Sequence, residues 1–182
     1  MHYEEPKQTS DGRYYVKASR DDSTRIMVQL NKCVLSEGGT LQVSEGQWSK
    51  IGDIDSQNLQ AANEHSETWF GKKVQEKTLE TAYVKSLVDG NMNVNKATVG
   101  GKVVTRYFDH EKNPVSEEDI VDKTCDVILE FSGLWFMKKT FGPIWRLAQV
   151  RVRPPPKKLY PDEYMFDETD QDQEQEQDED YI

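Results

Sequence analysis

Histidine and cysteine are the side chains best suited to catalysis or metal binding, and here there are three of one and two of the other. Their placement suits neither task. His2 lies in a polar leader, His65 in an expected helix and His110 in a turn, and none is paired with a Ser or Cys nucleophile. His65 beside Glu64 and Glu67 lacks the His-Glu-x-x-His spacing of a helical zinc site. Cys33 and Cys125 match no metal-ligand spacing and are too few for a disulfide framework, so two half-buried strand residues in a reducing compartment are expected. Val99-Gly100-Gly101-Lys102 lacks the spacing of a phosphate-binding loop, and a bulged strand explains it more simply. Glu117, Glu118 and Asp119 read as a solvated loop with at most weak affinity for a divalent ion. No catalytic residue, metal or cofactor is assigned, and a non-enzyme is expected.

A different chemistry is concentrated near the C-terminal end of the body. Between Lys138 and Lys158 stand seven bases, Lys138, Lys139, Arg146, Arg151, Arg153, Lys157 and Lys158, with no acid among them. Phe141 and Trp145 are interleaved and Phe136 just precedes. Cations track phosphates and flat rings stack on bases of any sequence, which is what single-stranded nucleic acid requires. If Ile144, Ala148, Val150 and Val152 face a core, strict alternation turns Trp145, Leu147, Gln149, Arg151 and Arg153 outward, with Phe136 and Leu134 on the outward side of the partner strand. Phe136, Phe141 and Trp145 would serve equally well as a second core beneath the helices, and both assignments stay open. Trp69-Phe70-Gly71-Lys72-Lys73 and Arg13, Tyr15, Lys17 repeat the pairing of ring and base more weakly.

Charge is divided unevenly. The chain carries -10 overall, yet residues 161–182 hold eleven acids and no Lys or Arg, leaving the body at +1. An acidic block interleaved with Gln stays solvated and is expected to be disordered. With Tyr164 and Phe166 near its start and Tyr181-Ile182 at its end, it can mimic nucleic acid, compete for a basic groove and offer an apolar tip to replication proteins.

Several elements must position these residues. Alternation predicts strands over 13–18, 26–35 and 41–43. Helices are predicted from Asp55 or Ser56 to about Trp69 and from Glu76 to Val88, and a strand over 98–108 broken at Gly100-Gly101. A long antiparallel hairpin is predicted from 125–136 and 144–153, and Pro154-Pro155-Pro156 ends it. The division is a flexible leader over 1–12, a domain over 13–153 with a helical insertion at about 55–89, and a Pro-rich exit and tail over 154–182. The fold class is mainly β with a helical insertion (α+β), an OB-like small β-barrel or alternatively a β-sandwich. Mean hydropathy is -0.84, and no run approaches the roughly 20 apolar residues of a membrane helix. The N-terminus lacks the pattern of a signal peptide, so an intracellular protein is expected.

Leu129 to Phe136, Lys138 to Gly142, Trp145 to Val152 and Trp69 to Lys73 resemble a small protein family of nucleocytoplasmic large DNA viruses, the algal ones especially. The likeness spans about residues 13–153. Layout and tail are similar to those of phage-type single-stranded-DNA-binding proteins, whose domain is an OB-fold and whose acidic C-terminus ends in an aromatic residue. Here the aromatic stands one place from the end. The resemblance implies a protein that coats single-stranded DNA in viral replication, recombination or repair, in a replication compartment of host cytoplasm or nucleus. RNA as ligand and a homo-oligomer stay open, and the alternative is a virion or scaffold protein using the same surface for protein contacts.

Overall fold

The computed structural model describes residues 1–10, 12–160 and 162–164. Its elements are β1 (His2–Tyr3), β2 (Lys7–Gln8), β3 (Tyr14–Ser19), β4 (Ile26–Ser36) and β5 (Thr40–Gln42), then the helices α1 (Trp48–Glu64), α2 (Ser66–Phe70) and α3 (Glu76–Ala82). There follow β6 (Asn91–Asn93), β7 (Asn95–Lys96), β8 (Thr98–Val99), β9 (Lys102–Val103), β10 (Arg106–Phe108), β11 (Thr124–Phe136) and β12 (Phe141–Val152). The architecture is α+β, a large and mainly antiparallel sheet with a few helices.

Alternating apolar residues make β11 the spine of that sheet. It pairs along its whole length with β12 on one side. On the other side it pairs with β4 from Thr124 to Phe131 and then with β3 from Gly133 to Phe136. The handover from β4 to β3 needs Gly133: its φ is +141°, and a Cβ there would collide with the Val16 carbonyl oxygen. β5 and β6 extend the sheet beyond β4, while β12 carries short parallel pairings with β7 and β10. β8 and β9 form a separate hairpin.

Neither a closed barrel nor a sandwich results. Among the described residues there is one ten-stranded sheet and one two-stranded hairpin, not two facing sheets. β6 lies at one margin and β7 and β10, paired beyond β12, at another, and no ladder joins β6 directly to β12.

One face of the sheet is packed and the other meets solvent, the usual economy of an antiparallel sheet. On the packed face Val16, Leu30, Leu129, Phe131, Leu134 and Trp145 join Ile51, Ala62 and Leu79 of the helices in one continuous core. α1 begins seven residues before the predicted cap at Asp55, because Ile51 and Ile54 belong to the same buried stripe as Asn58, Ala61 and Ala62. Asp55 is therefore a mid-helix residue. Its carboxylate accepts hydrogen bonds from Tyr83 Oη (2.7 Å), the Ser86 amide (2.9 Å) and Ser86 Oγ (2.5 Å). Tyr3 Oη donates to Asn58 Oδ1, and Asn58 Nδ2 donates to Tyr83 Oη. That buried relay ties the first strand to the helices, and burial drives the Tyr83 hydroxyl far above its ordinary pKa. α3 stops at Ala82 rather than running to Val88, because the Val84 amide donates instead to Phe141 O of β12.

Candidate nucleic-acid interface

The three rings proposed for base stacking belong to the core side. Trp145 is 2% exposed, its ring lies 5.4 Å from that of Phe131, and its Nε1–H donates to Ser86 Oγ at 2.8 Å. Phe141 is 1% exposed and packs edge-on against Phe70 and Tyr83. Phe136, half-buried, stacks on Phe141 and meets Trp69 and Phe70 edge-on. Of the two assignments left open by the sequence, core beneath the helices is the one found.

Two bulges explain why strict alternation failed. Leu129 pairs with Leu147 and Ile128 with Gln149, so Ala148 is an extra residue on β12. Each bulge flips the phase of everything beyond it. Trp145 and Leu147 therefore face inward with Val150, whereas Gln149 and Arg151 keep the outward position predicted for them. On β11, Phe131 pairs with Trp145 and Gly133 with Ile144, making Ser132 the extra residue. Beyond it Leu134 turns inward at 0% exposure, and Trp135 lies against Gly142 and lines a solvent groove.

The seven bases are likewise not one patch. Lys138 and Lys139 occupy the hairpin turn, Arg146 lies mid-strand, and Arg151 and Arg153 lie at the far end. At about 3.3 Å per residue, Gly142 and Arg151 are roughly 30 Å apart. Lys157 and Lys158 stand exposed past the triproline, where Lys158 forms an ion pair with Asp162. Of the tail residues, Tyr164 is 72% exposed; Phe166, Tyr181, Ile182 and the acids after Tyr164 lie outside the described residues.

What the fold does assemble on the solvent face is a ring end and an arginine end. At the ring end, a groove of about 850 Å³ brings Tyr15 of β3 and Trp135 of β11 beside the bases Lys17, Arg25 and Arg146. Arg13 lines it too, and Glu130 is its one carboxylate, with Arg25 Nε 3.7 Å away. Lys17 also pairs with Glu4 at 3.0 Å. Rings and cations here share one open surface, as base stacking with phosphate tracking demands. Arg13, Tyr15 and Lys17 carried a weak sequence signal. Trp135 and Arg25 carried none, because the Ser132 bulge and the β4–β11 pairing that place them are not local features.

At the arginine end, Arg151 Nη2 and Arg153 Nε each lie 2.9 Å from the Asp126 carboxylate, on opposite oxygens. Lys32, held at φ +53° by a bulge in β4, donates its amide to Asp126 Oδ1 at 3.2 Å. Burial disfavours the charged form of Asp126, but the hydrogen bonds from Arg151, the Lys32 amide and Arg153 outweigh it and keep the carboxyl below its ordinary pKa. Grooves of about 300 Å³ and 620 Å³ flank the cluster, the larger lined by Lys32, His110, Arg151, Arg153 and Pro154.

Among the described residues, no group of three or more His, Cys, Asp or Glu is placed to hold a metal ion. Cys33 and Cys125 are fully rather than half buried, directly opposed across β4 and β11. Burial pushes their thiols up to about 11 and about 12, which makes them poor nucleophiles. No described helix is long and apolar enough to cross a membrane.

The pattern of a family of unknown function, DUF5871, matches residues 29–168. The chain belongs to that family. The match takes in the whole arginine end, including Lys32, Asp126, Arg151 and Arg153, whereas β3 and Arg25 of the ring end precede it. Neither the curated proteins nor the solved structures contain a match to this chain.

Proposed function

We propose that the protein binds single-stranded DNA without sequence preference and without turnover, along the solvent face of its sheet, in viral DNA replication, recombination or repair. One observation carries the reading: the ring-end groove, where Tyr15 and Trp135 share a surface with Lys17, Arg25 and Arg146. Rings without bases would suit a protein partner, and bases without rings would suit duplex phosphates. Their combination favours unpaired bases.

The order of strand pairing supports an OB-like, partly closed fold. β4 pairs with β5, β5 with β6, β7 with β12, β12 with β11, and β11 with β4. Only Val94 separates β6 from β7, so a single stretch of chain reaches both margins of the sheet. In this reading the order corresponds to the partly open Greek-key barrel of an OB-fold, with the helices entering between its second and third strands.

In this reading the acids of residues 161–182 compete with DNA for the outer bases, and the apolar residues of the tail engage replication proteins once DNA displaces it. The scaffold alternative draws on the β8–β9 hairpin, where Val99 and Val103 are 57% and 58% exposed. A salt titration with fluorescent oligo-dT and a duplex of equal length separates the two. DNA binding predicts preference for the single strand and affinity that falls as salt rises; equal binding to duplex, or a flat salt response, contradicts it.

A further inference from the structure

We infer that the arginine end is a preset phosphate clamp, in which Arg151 and Arg153 take a backbone phosphate and Asp126 is the positioning residue that holds both guanidinium groups in place. The inference rests on the nucleic-acid reading above and assigns it a second, chemically different subsite. The larger groove here is lined by no Phe, Tyr or Trp and by three of the bases, so it suits a phosphate rather than a base stack.

Three features distinguish this cluster from a chance surface ion pair. Asp126 is only 7% exposed, and its two oxygens are divided between the arginines, Oδ2 to Arg151 and Oδ1 to Arg153. The carboxylate is itself fixed from below by the Lys32 amide, which the β4 bulge aims at it. Each guanidinium spends one nitrogen on Asp126 and retains others, on side chains 49% and 35% exposed. Arginine is flexible when free, and ordering it on a ligand costs affinity. Here that ordering precedes binding. Lys32 borders the same groove, which is net positive with Arg151 and Arg153 despite Asp126.

Charge and geometry make opposite predictions for two substitutions. Asp126→Asn removes one negative charge but loosens the fork; Arg151→Lys keeps the charge and loses the fork. If the clamp is preset, each lowers the affinity of the full-length protein for inorganic pyrophosphate by about fivefold, and Arg151→Ala with Arg153→Ala abolishes saturable binding. If only charge matters, Asp126→Asn binds more tightly and Arg151→Lys binds unchanged, which overturns the inference. Thermal melting checks that each variant is folded, and Arg151→Lys decides the question if Asp126→Asn is not.

Oligo-dT then distinguishes the source of the phosphate and the fate of the two readings. Between 50 and 200 mM salt, the double alanine variant should lose about 2.6-fold less affinity than the native protein, since the one single-strand phosphate contact of the clamp contributes about 0.7 to the salt slope. An unchanged slope, with oligo-dT still bound, overturns the clamp and leaves DNA binding standing. Pyrophosphate bound through the arginines without any oligo-dT binding overturns the DNA reading and leaves an anion site of a different source.

Discussion

Replacing Trp145 with Ala separates the core from the interface most sharply. The indole is 2% exposed, packs on Phe131 and donates to Ser86 Oγ. Deleting a buried aromatic ring costs about 3–5 kcal/mol in lost contact and cavity. The lost hydrogen bond adds little, since Ser86 keeps its short bond to Asp55 and no buried hydroxyl is orphaned. A cost of about 4 kcal/mol is a large part of the roughly 5–15 kcal/mol that stabilises a domain, and at about 2–4 °C per kcal/mol it lowers Tm by about 8–16 °C. Urea and thermal melts measure the loss, and oligo-dT affinity well below the new midpoint should remain near that of the native protein. A variant that melts within a few degrees of the native protein but has lost DNA binding would refute the inward placement of β12 upstream of the Ala148 bulge.

Tyr15→Ala should weaken oligo-dT binding by about 1–3 kcal/mol with little change in Tm, because its ring is at the groove surface; unchanged affinity would remove it from the interface. Gly133→Ala should destabilise on the order of 2–3 kcal/mol, since φ is +141° and the Val16 carbonyl blocks a Cβ, and a neutral effect in urea melts would contradict the β3–β11 crossing. Deleting residues 161–182 changes the charge from -10 to +1; DNA binding should tighten at low salt and converge with the intact protein at high salt, whereas equal affinity at low salt would dismiss the tail as competitor. Because the folded pKa of Asp126 is depressed, its stabilisation is present above the ordinary carboxyl range near pH 4 and is lost as pH falls through the folded value. The urea midpoint should therefore fall less steeply in acid for Asp126→Asn than for the native protein, and identical acid limbs would count against the pairing.

Local patterns located most of the strands. The hairpin predicted over 125–136 and 144–153 is found as β11 and β12, the strand over 26–35 as β4, and the sheet ends before Pro154. These runs are long, and hydrophobic alternation within them outweighs competing signals. The interface was less legible, because its members were chosen by extrapolating alternation across the extra residues Ala148 and Ser132. A bulge leaves no reliable local mark, yet it reverses every assignment beyond it. Arg151 was placed outward correctly because it lies on the same side of the bulge as Val150 and Val152. Tyr15 and Lys17 became part of a groove only through the pairing of β3 with β11, a contact between residues more than a hundred positions apart. α1 starts before Asp55 although Gly52 and Asp53 are poor helix formers, because the buried Ile51 and Ile54 carry its apolar stripe through them.

The solvent face of the sheet can be tested as the DNA surface by following the indole N–H signals of the four tryptophans in a nitrogen-15 NMR titration with oligo-dT. Trp145 is bonded to Ser86 in the core and Trp48 donates to the Val43 carbonyl at 2.9 Å, whereas Trp135 lines the ring-end groove. Trp135 should shift progressively with oligo-dT while Trp48 and Trp145 stay in place, and a duplex of equal length should move it far less. A stationary Trp135 at saturating oligo-dT would contradict DNA binding on this face.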